Sequence, residues 1–217
     1  MADVLFKCVQ NWKSYTLEPN KDSGVIISAC SGGTPNTSKS ENWGGEILWL
    51  TPKELSNYPI HGIPNIEDTK RKLTNEGLRN CGASLLPSNT VILSKRAPVG
   101  LITVNTCELS TNQGFLNLEC GDKINPRYLA YWLKANTHYL EMVANGTTYS
   151  ELYASDLFEF TVHLPEIDYQ QKVVDYMDNL FKMVNLVAAN GLQAQSDRFL
   201  KMADNVLISL LSGTFLI

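Results

Sequence analysis

Apolar positions follow two periods along this 217-residue chain. Up to Leu164 they gather in short runs rich in β-branched residues, broken by turn formers. Residues 24–29, 46–50, 90–94, 100–105, 114–119 and 158–164 each predict a strand. Residues 31–42 are almost entirely Ser, Gly, Thr, Pro and Asn, which predicts an exposed loop. Two helix starts are encoded within this first region. Thr51 caps one, Pro52 suits its first turn, Glu54 completes a capping box and Pro59 ends it. Asn125-Pro126 opens the other, and Leu129, Trp132, Leu133, Leu140 and Val143 give it a face suited to packing on a sheet. Residues 146–148 interrupt that helix, and Pro165 closes the strand-rich part.

Beyond Pro165 the period changes. Val173, Met177, Leu180, Val184 and Val187 step by four, three, four and three, the a/d spacing of a coiled coil. After Asn190-Gly191 the stripe resumes as Leu192, Phe199, Ala203, Val206 and Leu210, but the step from 187 to 192 is five residues. One reading is a single helix of about 45 residues, roughly 67 Å long, with a local slip of register. The other is a helical hairpin turning at Asn190-Gly191. The continuous helix is favoured, because tight helical hairpins usually carry stronger breakers. So long an apolar stripe exceeds what so small a body can cover, and it calls for a partner helix.

Composition sharpens this picture by exclusion. A hydrophobic fraction of 44% and a charged fraction of 18% read as a soluble globular chain. No apolar run reaches the ~20 residues of a membrane span, and residues 1–13 lack the pattern of a signal peptide. A cytoplasmic location is therefore expected. The five cysteines form no Cys-x-x-Cys pair, and the three histidines have no ligand-like spacing, so neither metal nor cofactor is expected. Phosphate-binding glycine motifs are absent, and Ser31-Gly32-Gly33 lacks the helix that a phosphate cradle requires. Asn125-Pro126-Arg127-Tyr128 departs at its third position from the Asn-Pro-Pro-Tyr motif of adenine methyltransferases and reads as a helix cap. A net charge of −4 argues against gripping nucleic acid by bulk electrostatics. Any such face must come from local clusters, and two stand out: Lys70-Arg71-Lys72 with Arg79 close behind, and Lys95-Arg96 on the connection between two strands.

Several stretches taken together resemble the specificity subunit of type I restriction–modification systems. They are residues 31–35 (SGGTP), 44–50 (GGEILWL), 90–100 (TVILSKRAPVG), 110–115 (STNQGF), 146–152, and Leu164-Pro165 followed by Gln170-Gln171. They keep the family's order and cover nearly the whole chain. The resemblance implies an α+β fold, with a β-rich target recognition domain over residues 1–165. A conserved-region coiled-coil helix over 166–217 would follow. It implies a non-catalytic subunit that binds double-stranded DNA in the major groove and directs a methyltransferase subunit, and through it a restriction subunit, to one sequence.

The usual family member is about twice this length, with two recognition domains and two helices. A half-subunit is therefore expected, pairing with a second copy through antiparallel helices. Val173, Met177, Leu180, Val184, Val187, Leu192, Phe199, Val206 and Leu210 would form that surface. Two identical domains at opposite ends imply a bipartite, palindromic site. Candidate DNA contacts are Lys39, Lys70, Arg71, Lys72, Lys95, Arg96, Gln113, Thr147 and Tyr149. Each has a plainer reading. The run 70–72 can be solvated charge, Arg96 a structural ion pair, and Gln113 a group satisfying its own turn. Tyr149 can pack on the domain, while Trp43 and Trp49 read as core and rim packing. Two other functional classes stand against the main one: the recognition fragment of a methyltransferase, and an interaction module that does not bind DNA.

Overall fold

The computed structural model describes residues 11–58, 61–96, 98–144 and 151–214. In chain order its elements are β1 (Lys13–Thr16), β2 (Ile26–Ser31), β3 (Trp43–Leu50), α1 (Pro52–Leu55), β4 (Asn65–Ile66), β5 (Lys72–Leu73) and α2 (Asn75–Cys81). β6 (Val91–Ser94), β7 (Ile102–Asn105), β8 (Ser110–Thr111) and β9 (Phe115–Cys120) follow. The remainder is helical except for one strand: α3 (Pro126–Ala135), α4 (Thr137–Ala144), α5 (Ala154–Phe158), β10 (Thr161–Leu164), α6 (Ile167–Ala189) and α7 (Gln193–Leu211). The class is α+β, as the resemblance implied.

The central sheet runs β2-β9-β6-β7-β4, antiparallel except where β4 joins β7. A second sheet, β5-β3-β8, lies against one of its faces, and helices cover the other. Alternation along β6 shows why both faces are filled. Val91 and Leu93 enter the larger core with α3, α6 and α7, while Ile92 joins Leu48, Leu50, Ile66, Leu109 and Phe115 in a smaller core on the second-sheet side. Two-sided burial accounts for the unbroken apolar run at 91–93. β1 and β10 form a separate pair, held in register from Lys13↔Leu164 to Thr16↔Thr161.

The helix caps act largely as read, with two differences. The Thr51 hydroxyl accepts from the Glu54 amide, but the Glu54 carboxylate accepts from the Lys70 amide (2.7 Å), so the capping box stays half formed. Asn125 caps α3 by accepting from Arg127 and Tyr128. The helix expected to continue to Val143 breaks at Asn136, whose buried amide donates back to the Trp132 carbonyl at 2.7 Å, and a second helix starts there.

The chief correction concerns the C-terminal region. Its helical segment is as long as expected but is not continuous: α6 ends at Ala189, and α7 folds back on it. Gly191 takes φ 75°, the Gly191 amide donates to Ala188 and the Leu192 amide to Val187, a Schellman closure of α6. Lys134 on α3 confirms the reversal. Its ammonium lies 5.9 Å from the Phe181 ring and also feels the Asp204 carboxylate. A straight helix would hold residues 181 and 204 about 35 Å apart. Burial drives the return. Ala203, Leu207, Leu210 and Leu211 all enter the larger core, and each buried leucine contributes about 1.5–3 kcal/mol that a projecting helix would forgo.

Polar contacts fix α6 to the body. Gln170 is fully buried; its side-chain oxygen accepts from the Asn125 amide, and its nitrogen donates to the Lys123 and Pro165 carbonyls. Gln171 accepts from the Asn125 side chain. Two turns further along α6, Arg127 forms a two-pronged ion pair with Asp178 (2.6 and 3.0 Å) and also donates to Asn65 and to the Ile63 carbonyl. The Tyr131 hydroxyl donates to the same carboxylate, and burial, with that negative charge behind it, pushes the phenol's pKa far up.

The hairpin makes a prediction whose sign separates the two geometries. In a continuous helix Gly191→Ala would stabilise by about 1 kcal/mol. At φ 75° the added Cβ should instead destabilise by about 1 kcal/mol, measurable as a lower urea midpoint with an unchanged slope.

Candidate nucleic-acid interface

The 31–42 loop is pinned by close approach of main chain. The Gly33 amide donates to the Thr111 carbonyl of β8, and a Cβ at Gly33 would lie 2.1 Å from the Cys81 carbonyl oxygen at the end of α2. Trp49 is buried and donates its indole N–H to the Gly33 carbonyl (3.0 Å). Further along, the Asn36 carbonyl accepts from the Asn42 side chain (3.0 Å) and the Trp43 indole (3.3 Å). β3 bulges between Trp43 and Ile47, with Gly44 at φ 82°, which turns half-buried Trp43 toward the loop and away from the regular ladder. Its ring meets that of Trp49 edge to face, 5.0 Å between centroids.

Arg71 lies on this pair of indoles. Its guanidinium carbon sits 3.4 Å from the Trp43 ring centroid and 5.1 Å from that of Trp49. Its carbonyl is held from two sides, by the Trp49 amide and the Thr69 hydroxyl. Lys70 is exposed and, among the described residues, its ammonium has no carboxylate partner. Lys72 pairs with Asp68 at 3.0 Å and Lys39 with Glu41 at 3.7 Å, both surface contacts.

The loop leads on to the other expected residues. The Thr34 hydroxyl donates to the Gln113 side chain. Asn112, and not Gln113, satisfies the turn, since its side-chain oxygen accepts from the Gly114 amide. The Gly114 carbonyl in turn accepts from the Lys95 amide. Lys95 and Arg96 then share one carboxylate, Glu151, at 3.3 and 3.1 Å. A β-bridge joins Arg96 to Glu151, and the Leu152 amide donates to the Lys95 carbonyl. Arg71, Gln113, Lys95 and Arg96 thus fall on one chain of direct contacts through the 31–42 loop, with Lys70 and Lys72 flanking Arg71. Thr147 and Tyr149 lie outside the described residues.

Sequence reasoning missed Trp43 as the platform for Arg71 and Glu151 as the counter-ion of the 95–96 pair. An indole directly before Gly44-Gly45 in a strand was a usable signal for the first, since such glycines mark a bulge. Nothing local links Glu151 to Lys95, because the pair closes across more than fifty residues. Among the described residues no group of three His, Cys, Asp or Glu side chains could hold a metal ion, and no helix is long and apolar enough to cross a membrane.

A body of stacked sheets carries a polar, partly basic loop edge, with a helical hairpin locked to its flank. The chain belongs to the type I restriction modification DNA specificity domain family, whose model matches residues 21–194. It is 35% identical over 175 residues to the type I restriction enzyme MjaIX specificity subunit of Methanocaldococcus jannaschii, covering 78% of this chain and 39% of that one. It is 25% identical over 177 residues to the EcoR124I/EcoR124II specificity subunit of Escherichia coli, covering 77% and 42%. The HsdS subunit from Thermoanaerobacter tengcongensis has a similar fold, with TM-score 0.59 at 16% identity, over 99% of this chain and 49% of that one. The chain therefore spans about two fifths of the length of the curated relatives it matches.

The Glu151 contact makes a pH-dependent prediction. Burial, the largest single influence, raises the carboxyl's pKa; the hydrogen bonds and charges of Arg96 and Lys95 together outweigh it, and the net shift is downward. A depressed carboxyl contributes stability above its ordinary value of 4.5 and loses it as pH falls through the lower folded value. Glu151→Gln should cost about 1 kcal/mol at pH 7, a deficit that shrinks as thermal melts are repeated below pH ~4.5.

Proposed function

We infer that this chain is a DNA-recognition subunit without catalysis of its own, acting in the cytoplasm. It would direct a methyltransferase subunit, and through it a restriction subunit, to a specific sequence. The family match over residues 21–194 carries this reading. The edge running from Arg71 through the 31–42 loop to Arg96 supports it, because it presents donors of the kind that read base edges and phosphates. Residues 1–165 are the recognition domain in this reading, and 166–217 the assembly element.

The chain acts as an antiparallel homodimer on a bipartite, palindromic site. The surface for that assembly differs in part from the stripe that the periodicity singled out. Val173, Met177, Leu180, Val184 and Leu210 are buried in the chain's own core, and Val187 and Val206 are partly covered. Two members of that stripe, Leu192 in the turn and Phe199 on α7, are exposed, and with them Tyr176, Met183 and Leu186 on α6 and Met202 on α7. Tyr176, Met183 and Leu186 are spaced by seven and three residues, an a/d spacing separate from the buried stripe of α6, and Leu192, Phe199 and Met202 keep the same spacing from the turn into α7. Burying this surface against a second copy gives these side chains the cover they lack.

Two measurements test the reading. Co-expression with the cognate methyltransferase subunit, followed by sequencing of methylated sites, should return a symmetric motif interrupted by a spacer; a continuous or asymmetric motif overturns the homodimer. Light scattering of the double variant Met183→Glu, Phe199→Glu should give a monomer where the unmodified chain gives a dimer at micromolar concentration.

A further inference from the structure

We propose that Arg71 reads a guanine through its paired O6 and N7 acceptors, with Trp43 as its positioning residue. The proposal rests on the DNA-recognition reading above and adds to it which residue reads a base and how it is held. Three observations carry it. First, the guanidinium is the one element of the basic run that is both oriented and unsatisfied. It lies on the face of Trp43, 3.4 Å from the ring centroid, yet among the described residues no acceptor takes any of its N–H groups. Lys39, Lys72, Lys95, Arg96 and Arg127 are each committed to a carboxylate.

Second, the platform is itself fixed. Trp43 is held by the Asn36 carbonyl, by its edge contact with Trp49 and by the bulge at Gly44, and Trp49 is anchored on Gly33. Third, Arg71 remains exposed although its main chain is pinned by Trp49 and Thr69. A planar fork with its face covered presents its donors only at its edge. Two coplanar donors at an edge match the guanine O6/N7 pair, the commonest specific contact an arginine makes in the major groove. A phosphate offers acceptors too but asks for no fixed plane, and the mobile ammonium of neighbouring Lys70 serves it equally well.

The test uses the full chain in complex with its methyltransferase subunit and maps methylated sites for a set of variants. Arg71→Ala should relax the motif at one G·C pair in each half-site, lowering discrimination there by about tenfold or more, while other positions hold. Arg71→Lys, which keeps the charge and the fold, should show the same relaxation. Trp43→Phe should keep the guanine, and Trp43→Leu should lose it. Lys70→Ala should weaken all sites alike and flatten the salt dependence. Recovery of the unmodified motif by Arg71→Lys would mark a phosphate contact and overturn the proposal. An unchanged motif in Trp43→Leu would overturn the role of Trp43. If the unmodified complex directs methylation to no motif, the DNA-recognition reading falls, an outcome distinct from either.

Discussion

One buried side-chain amide holds the architecture together. Gln170 meets three main-chain groups at the point where the sheet body hands over to helix, and no part of it reaches solvent. Leaving any of those groups unpaired costs on the order of 1–3 kcal/mol, so the junction has one strongly preferred geometry. Arg127, Asp178 and Tyr131 repeat the constraint two turns along α6. Two polar locks on one helix fix both its position and its direction. The rest of the hairpin is placed mainly by packing, with Phe181 stacked on Tyr131 and α7 closing over α3, and with the Asn185 amide donating to the His61 carbonyl.

Such rigidity is what the proposed assembly would require of its helical element. If the helical element sets the distance between two reading heads, its angle to each head must not drift. Apolar packing tolerates sliding, whereas a bidentate arginine and a satisfied amide do not. The division of labour is clear in the chemistry: ionic and amide contacts at the root of the hairpin, apolar side chains along its free flank.

Much of the fold was legible from residues 24 to 135, where β-branched runs, turn formers and proline-led caps agree with one another. The elements that escaped are those whose signal is short or non-local. β4, β5 and β8 have two residues each, fewer than periodicity can register, and α2 is capped by Thr74 without an apolar stripe. The break at Asn136 depends on a side chain choosing a carbonyl of its own helix over solvent. At Asn190-Gly191 both outcomes were written in the same residues. A single glycine closes a helix well enough when the following segment can bury three leucines and an alanine, and only the tertiary core shows that it can. The interface was legible as composition but not as wiring. Lys70-Arg71-Lys72 reads as one patch, yet its three side chains have three different fates: solvent, an indole face, and an aspartate.

The anchoring of the 31–42 loop has a consequence for how such a protein changes over generations. Most of its fastenings to the body use main chain: the Gly33 amide and carbonyl and the Asn36, Glu41 and Asn42 carbonyls, with the Thr34 hydroxyl on Gln113 as a side-chain exception. Every amino acid supplies a carbonyl. The exposed side chains at 37 and 39–41 can therefore be exchanged while the loop keeps its course, so the chemistry this edge presents can vary without the scaffold having to be rebuilt.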